Sequence, residues 1–160
     1  MQIRIRQTSA VMYESEFRSL FPNTSMPQQL TEALINDLGG DVVIEGAQAT
    51  GGTVYQYSQA SGVEQVNGKW YTKYILGPVF ANTEGATAAQ NEAAYKAMKD
   101  AEQAKSVRAT RGEKLKDTDW TQVADAPVDK AAWATYRQAL RDVTEQAGFP
   151  WAVEWPVAPV

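Results

Sequence analysis

The chain has 160 residues, of which 44% are hydrophobic and 21% charged, with a formal net charge of −4. This length suffices for one domain or two small ones with a buried core, and the composition is typical of a soluble globular protein. No apolar run approaches the roughly 20 residues that a membrane helix needs, and Met1 precedes Gln-Ile-Arg-Ile-Arg rather than an apolar signal segment. We therefore expect a cytoplasmic protein without a membrane partner.

The chain contains no cysteine and no histidine. Their absence excludes disulfide frameworks, Cys/His zinc sites, Ser-His-Asp triads and cysteine nucleophiles. Two carboxylate pairs, Asp117 with Asp119 and Glu14 with Glu16, lack the further oxygen ligands at loop spacing that calcium or magnesium requires. We therefore expect no catalytic residues, no metal site and no cofactor, and a binding or structural function.

Residues 1–80 predict a small α+β domain. Residues 2–7 alternate isoleucine with arginine, which is the pattern of a strand with one buried face. A short helix is expected over residues 14–20 because its apolar positions recur at helical spacing and a proline follows. A second helix is expected to begin after Ser25 and to end at the glycines that follow Leu38.

Further strands are predicted after the second helix, over residues 42–44, 53–57 and 69–76. Asn67-Gly68 precedes the last of them and predicts a type I′ turn in a hairpin from Val63 to Tyr74. The expected unit is a small antiparallel sheet with one or two helices on one face.

Residues 84–116 predict one long helix, since they are rich in Ala, Gln, Glu and Lys and contain no proline. Alanines recur along it at 3-4-3 spacing, at positions 94, 97, 101 and 104. Such a narrow seam buries little area, so the helix is either a connector between domains or one half of a shallow coiled coil. We take residues 81–117 as a helical connector.

Residues 118–160 are predicted to complete a helical hairpin with the long helix. The second helix is expected after Pro127 and before Gly148, with residues 118–126 as the loop. Its apolar stripe has 3-4-3-4 spacing and consists of Trp133, Tyr136, Leu140, Val143 and Ala147. Residues 149–160 hold three of the seven prolines, which predicts an extended tail.

Charge is divided unevenly between the long helix and the C-terminal segment. Residues 96–116 carry seven basic and three acidic side chains, whereas residues 117–160 carry three basic and seven acidic ones. One interpretation is pairing within the chain beside a solvated helix face, and the other is nucleic-acid binding. No aromatic residues are interleaved for base stacking, so we expect no nucleic-acid partner.

Four of the five tryptophans lie in the last 41 residues, where a two-helix hairpin offers little core. They either pack within the chain or form a protein interface, and Arg137 and Arg141 flank the Trp133 stripe as further interface candidates. The predicted partner-binding residues are Trp120, Trp133, Tyr136, Arg137, Arg141, Phe149, Trp151 and Trp155.

A resemblance to a known family rests on a set of motifs that occur in order over residues 105–157. They are Arg108-Ala-Thr-Arg111, Thr118-Asp-Trp-Thr121, Asp125-Ala-Pro127, Trp133-Ala-Thr-Tyr136-Arg137-Gln-Ala-Leu140-Arg141-Asp142, Phe149-Pro150 and Trp155-Pro156. This segment resembles the phage tail assembly chaperone domain, the C-terminal module of tail fibre assembly proteins.

The resemblance implies a non-enzymatic protein that binds a trimeric phage tail fibre protein in the host cytoplasm and helps it to assemble. Some similar proteins remain on the mature fibre, so the resemblance also implies a virion component. The alternative is a permanent structural part of the tail, fibre or baseplate, in which residues 84–116 mediate self-association. The oligomeric state would distinguish the two.

Overall fold

The computed structural model describes residues 1–159 and divides into two compact units, Met1–Val79 and Phe80–Val160. The long helix belongs to the second unit together with the C-terminal segment. Val160, the last residue of the predicted tail, lies outside the described residues. The division into segments 1–80, 81–117 and 118–160 stays a prediction.

The N-terminal unit combines a five-stranded sheet with two short helices, which confirms the α+β class of this unit. The strands are β1 (Gln2–Ile5), β2 (Val11–Tyr13), β3 (Gly40–Ile44), β4 (Tyr57–Val66) and β5 (Lys69–Gly77), and the helices are α1 (Glu14–Ser19) and α2 (Glu32–Asp37). The order in the sheet is β2-β1-β3-β5-β4.

The sheet is mixed, so the prediction of a fully antiparallel sheet is wrong. β3 and β5 are parallel, whereas every other pair is antiparallel. Residues 45–56 form no strand beside β3. The chain continues instead into β4, turns, and returns as β5, which pairs with β3. β5 is the more apolar strand of the hairpin, so burying it in the centre and leaving the polar β4 at the edge costs less desolvation.

The predicted hairpin turn is confirmed, although the strand before it lies elsewhere. Asn67 and Gly68 have φ angles of 49° and 78°, which a type I′ turn requires at both central residues. The strand predicted over residues 53–57 is wrong, because Thr53 and Gln56 form a turn in which the Gln56 N–H donates to the Thr53 carbonyl oxygen at 3.0 Å. β4 begins only at Tyr57.

The core of this unit lies between the sheet and the two helices. Ile3, Phe17, Leu30 and Ile35 are its buried members. Gly40 sits against them, and a Cβ there would lie 2.8 Å from the Ile35 side chain, so only glycine lets β3 approach the helices. The predicted start of the second helix after Ser25 is wrong, because Thr31 caps α2 by accepting the Leu34 N–H at 3.3 Å.

The C-terminal unit is helical. Helix α3 (Ala88–Asp117) has 30 residues and spans about 45 Å, and helix α4 (Lys130–Asp142) contacts it, so the predicted pairing of a long helix with a second helix is confirmed. The two helices are joined by residues 118–129, which include a 3-10 helix at Asp119–Gln122. A further 3-10 turn, Val143–Glu145, follows α4.

The predicted alanine seam of α3 differs from the face that packs. Ala104 and Val107 are the buried apolar residues of the helix, whereas Ala94, Ala97 and Ala101 are exposed. Of the predicted seam only its last member, Ala104, is buried, and Val107 on the next turn continues the buried face. Coiled-coil pairing of α3 stays a prediction.

Candidate functional site

An exposed aromatic patch lies where the chain turns between α3 and α4. The Trp120 ring is 6.1 Å from the Trp133 ring, measured between centroids, and Trp133 meets the buried Tyr136 edge to face at 5.6 Å. Trp120 and Val123 are each 52% exposed, and the Val123 N–H donates to the Trp120 carbonyl oxygen. We call Trp120, Val123 and Trp133 the hairpin-turn patch.

Two buried threonines fix Trp120 at the surface. The Thr121 hydroxyl, which has no exposed surface, donates to the Thr118 carbonyl oxygen at 2.7 Å. The Thr118 hydroxyl in turn donates to the carbonyl oxygens of Lys114 and Leu115, each at 3.0 Å. Because the threonines point inward in this tight 3-10 turn, the indole between them points outward.

Arg137 holds the turn together from inside. Its guanidinium donates through Nη1 to the Leu115 carbonyl oxygen at 2.6 Å and to the Thr118 hydroxyl at 2.7 Å, and through Nη2 to Asp119 Oδ1 at 2.7 Å. The residue is only 7% exposed. A cation here also suits the negative end of the α3 dipole. Arg137 therefore stabilises the turn, and its predicted contact with a partner stays a prediction.

Arg141 is exposed on α4, one turn beyond Arg137. Its guanidinium lies 3.5 Å from Gln138 Oε1, and its carbonyl oxygen accepts a hydrogen bond from Arg111. The backbone of Arg141 thus contributes to the packing of α4, while its side chain stays at the surface.

The three aromatic residues of the tail lie against α3. The Arg108 guanidinium carbon is 5.3 Å from the Phe149 ring centroid, and Lys114 Nζ is 5.5 Å from that of Trp155. Trp151 Nε1 donates to Asp100 Oδ1 at 2.6 Å. All three rings are partly buried. Within the described residues Arg108 and Lys114 form no ion pair, so these cations meet aromatic faces where charge pairing was expected.

The tail turns back before it runs along the helix. The Gln146 amide pairs with the Glu154 backbone in both directions at 2.8 Å, and the Ala152 N–H donates to the Gly148 carbonyl oxygen at 2.7 Å. A Cβ at position 148 would collide with the Ala152 carbonyl oxygen. The predicted extended tail therefore begins after a turn, at about residue 153.

The patch lies in an acidic segment. Residues 117–130 contain four aspartates and one lysine, a local charge of −3. Asp129 caps α4 by accepting the N–H groups of Ala131 and Ala132 at 3.0 and 3.1 Å. Lys130 Nζ donates to the Ala124 carbonyl oxygen at 2.5 Å.

Catalytic chemistry finds little support in the described part of the chain. No group of three or more acidic side chains there could hold a metal ion. The pKa of Tyr74 is raised because its hydroxyl donates to Glu45, and the pKa of Lys99 is raised because its ammonium group donates to Glu102. Both shifts favour the protonated form of the side chain. No helix among residues 1–159 is both long and apolar enough to cross a membrane.

Comparison with known protein families gives a match to the C-terminal part of the chain. Residues 104–160, a little over a third of the chain, match the family model described as phage tail assembly chaperone protein. The match confirms the resemblance inferred from the motifs of residues 105–157, and it supports a general role as a phage tail assembly chaperone. No curated protein and no solved structure matches the chain.

Proposed function

We propose that this protein is an assembly chaperone that binds a trimeric phage tail fibre protein through the hairpin-turn patch. The observation that carries the proposal is the exposure of Trp120, at 52%, beside Trp133 within the segment that matches the chaperone family. An exposed tryptophan in a position held from inside by hydrogen bonds is better suited to a partner than to the core of its own unit.

The energetics of such a patch favour binding. Tryptophan buries a large area with few rotatable bonds and dominates many protein interfaces. Trp120 is already positioned by its contact with Trp133 and by the two buried threonines, so a partner loses little free energy in ordering it. The patch is therefore preorganised.

A fibre protein has a physical need for such a partner. Its chains expose strand edges and apolar faces until three of them intertwine, and these surfaces associate wrongly when they meet the wrong neighbours. A small protein that covers them suppresses that association. We also propose that the chaperone remains on the assembled fibre and so enters the virion.

The remaining predicted binding residues divide by their surroundings. Tyr136 and Arg137 are buried beneath the patch, and the tail aromatics lie along α3. Arg141 keeps an exposed guanidinium. We therefore assign direct contact to Trp120 and Trp133, a peripheral contact to Arg141, and support of the patch to Tyr136 and Arg137. A partner contact of Phe149, Trp151 and Trp155 would lie along α3.

One observation favours the second candidate, a permanent structural component of the tail, fibre or baseplate. Met98 is 47% exposed on the same side of α3 as Ala94, Ala97 and Ala101, which are also exposed. A second helix could approach this stripe closely. Self-association through residues 84–116 is the expected behaviour of such a component, and light scattering of the purified protein measures it.

The test is co-expression with the tail fibre gene of the same phage, with soluble trimeric fibre as the readout. We expect soluble fibre with the natural chain and a loss of at least tenfold with Trp120→Ser. Tyr57→Ser is the matched control, because Tyr57 is an aromatic residue of similar exposure, 54%, in the other unit. It should leave the yield unchanged.

Two results would contradict the proposal. Soluble trimeric fibre that forms equally well without this chain would remove the chaperone role. Equal losses with Trp120→Ser and Tyr57→Ser would move the interface away from the hairpin-turn patch. Mass spectrometry of purified virions tests retention, which requires the chain to be present in a fixed ratio to the fibre.

A further inference from the structure

We infer that the hairpin-turn patch binds a segment of its partner that carries arginine or lysine beside apolar side chains. The inference rests on the proposed function and adds the chemistry of the partner at the same site. Its evidence is the charge around the patch, the state of two aspartates and the aromatic faces available.

Only some of the aspartates in the turn have partners within the described part of the protein. Asp119 binds Arg137, and Asp129 caps α4. Asp117 and Asp125 are exposed, and the carboxylate of neither has a hydrogen-bond or ion-pair partner among residues 1–159. Two unpaired carboxylates therefore flank the apolar patch in the sequence, one on each side of Trp120 and Val123.

The aromatic rings of the patch suit the same cations. A guanidinium or ammonium group is attracted to the face of an indole ring, most strongly when the ring is tryptophan. The protein already uses this contact, with Lys114 over Trp155 and Arg4 at 4.0 Å over Trp70. Trp120 is 52% exposed and so offers ring surface to a cation from outside.

Together these features select one class of occupant. An arginine or lysine can pair with Asp117 or Asp125 while its stem or a neighbouring apolar side chain covers Trp120 and Val123. An acidic segment would be repelled by the unpaired carboxylates of Asp117 and Asp125. Nucleic acid would be repelled by the same carboxylates, because its affinity depends on cations that meet phosphates.

NMR of the full chain tests this with defined peptides. The probes are two peptides of equal length, one alternating arginine with leucine and the other alternating glutamate with leucine. The indole N–H signals of the five tryptophans are assigned with single Trp→Phe variants. We expect the arginine peptide to shift the signals of Trp120 and Trp133 and to leave those of Trp70, Trp151 and Trp155 in place.

A charge-matched pair of variants sharpens the test. Asp117→Asn with Asp125→Asn should weaken binding of the arginine peptide about threefold or more, because exposed charge pairs contribute modestly. Asp37→Asn with Glu84→Gln changes the net charge equally, away from the turn in sequence, and should leave the affinity unchanged. Added salt should weaken binding to the natural chain more than to the first variant.

Three outcomes would overturn the inference: no shift at Trp120, an equal shift with the glutamate peptide, or equal weakening by both double variants. These results are independent of the co-expression experiment. If the peptide binds as expected but fibre solubility does not depend on the chain, the fibre partner is wrong and the cation site stands. If the fibre depends on Trp120 but the peptides do not bind selectively, only the present inference fails.

Discussion

The two units of this protein are stabilised in different ways. The N-terminal unit has a conventional apolar core, in which Ile3, Phe17 and Ile35 have no exposed surface. The C-terminal unit buries Leu140 and Val143 as completely, but it also buries Thr121 and most of Arg137. Its long helix contributes only Ala104 and Val107 to the buried apolar set.

This difference determines how freely the residues of each unit can be replaced. An apolar core accepts many residues of suitable volume, because burial is not directional. The contacts of the C-terminal unit are directional: a guanidinium reaches a helix end, an indole N–H reaches a carboxylate, and cations lie over rings. Several residues of the motifs that suggested the chaperone family, including Arg108, Arg137 and Phe149, make these contacts.

The largest effect is expected in the apolar core. Phe17→Ala should lower the free energy of unfolding of the N-terminal unit by about 3–5 kcal/mol, since a fully buried phenylalanine leaves a cavity. Urea denaturation followed by NMR measures it residue by residue. We expect signals of residues 80–160 to persist when those of the first unit are lost. Simultaneous loss would show that the two units unfold as one.

The second-largest effect is expected where buried hydrogen bonds stabilise the C-terminal unit. Arg137→Ala should cost about 2–4 kcal/mol, because it leaves the Leu115 carbonyl and the Thr118 hydroxyl without their donor in a buried place. Asp119→Asn is the control. Asp119 is 66% exposed, so its loss should cost under about 1 kcal/mol. Thermal melts compare them, and equal costs would mean that the exposed ion pair, rather than the buried donors, holds the turn.

Sequence reasoning succeeded where the signal was local. Asn67-Gly68 predicted its turn because only residues that tolerate positive φ form one, and the continuous helical composition of residues 84–116 predicted α3, which spans Ala88–Asp117. It failed where contacts between residues far apart in the sequence determine the structure. β5 lies beside β3 because of its hairpin partner and its apolarity, and no local pattern specifies a parallel neighbour.

The candidate site shows the same limit. Trp120 and Trp133 were proposed because a hairpin cannot bury every large ring, and Trp120 is indeed half exposed. The burial of Arg137 could not be predicted, because its spacing from Trp133 is compatible with an exposed or a buried guanidinium. The signal that could have located it is the end of α3, where unpaired carbonyl groups need a donor and the acidic Asp119 follows at once.

Two glycine-to-alanine substitutions compare the close packing of the tail turn with the open surface of α3. Gly148→Ala should cost about 1–3 kcal/mol, since its Cβ would collide with the Ala152 carbonyl oxygen. Gly112→Ala in α3 meets nothing within 4 Å and should instead stabilise the unit by about 0.5–1 kcal/mol. Urea denaturation measures both. A neutral Gly148→Ala would show that the tail does not need its closed turn.

The smallest effect concerns the contact between cation and ring that holds the end of the tail. Lys114→Gln should cost about 0.5–1 kcal/mol, because the ammonium group lies over a partly buried Trp155 ring. Lys116→Gln changes the same charge two residues away on an exposed side chain and should cost nearly nothing. A double-mutant cycle with Trp155→Leu isolates the pair, and we expect a coupling of about 0.5 kcal/mol. A coupling of zero would mean that the tail is held by Phe149, Trp151 and the Gln146 pairing alone, so that the C-terminal unit depends less on directional contacts than its geometry implies.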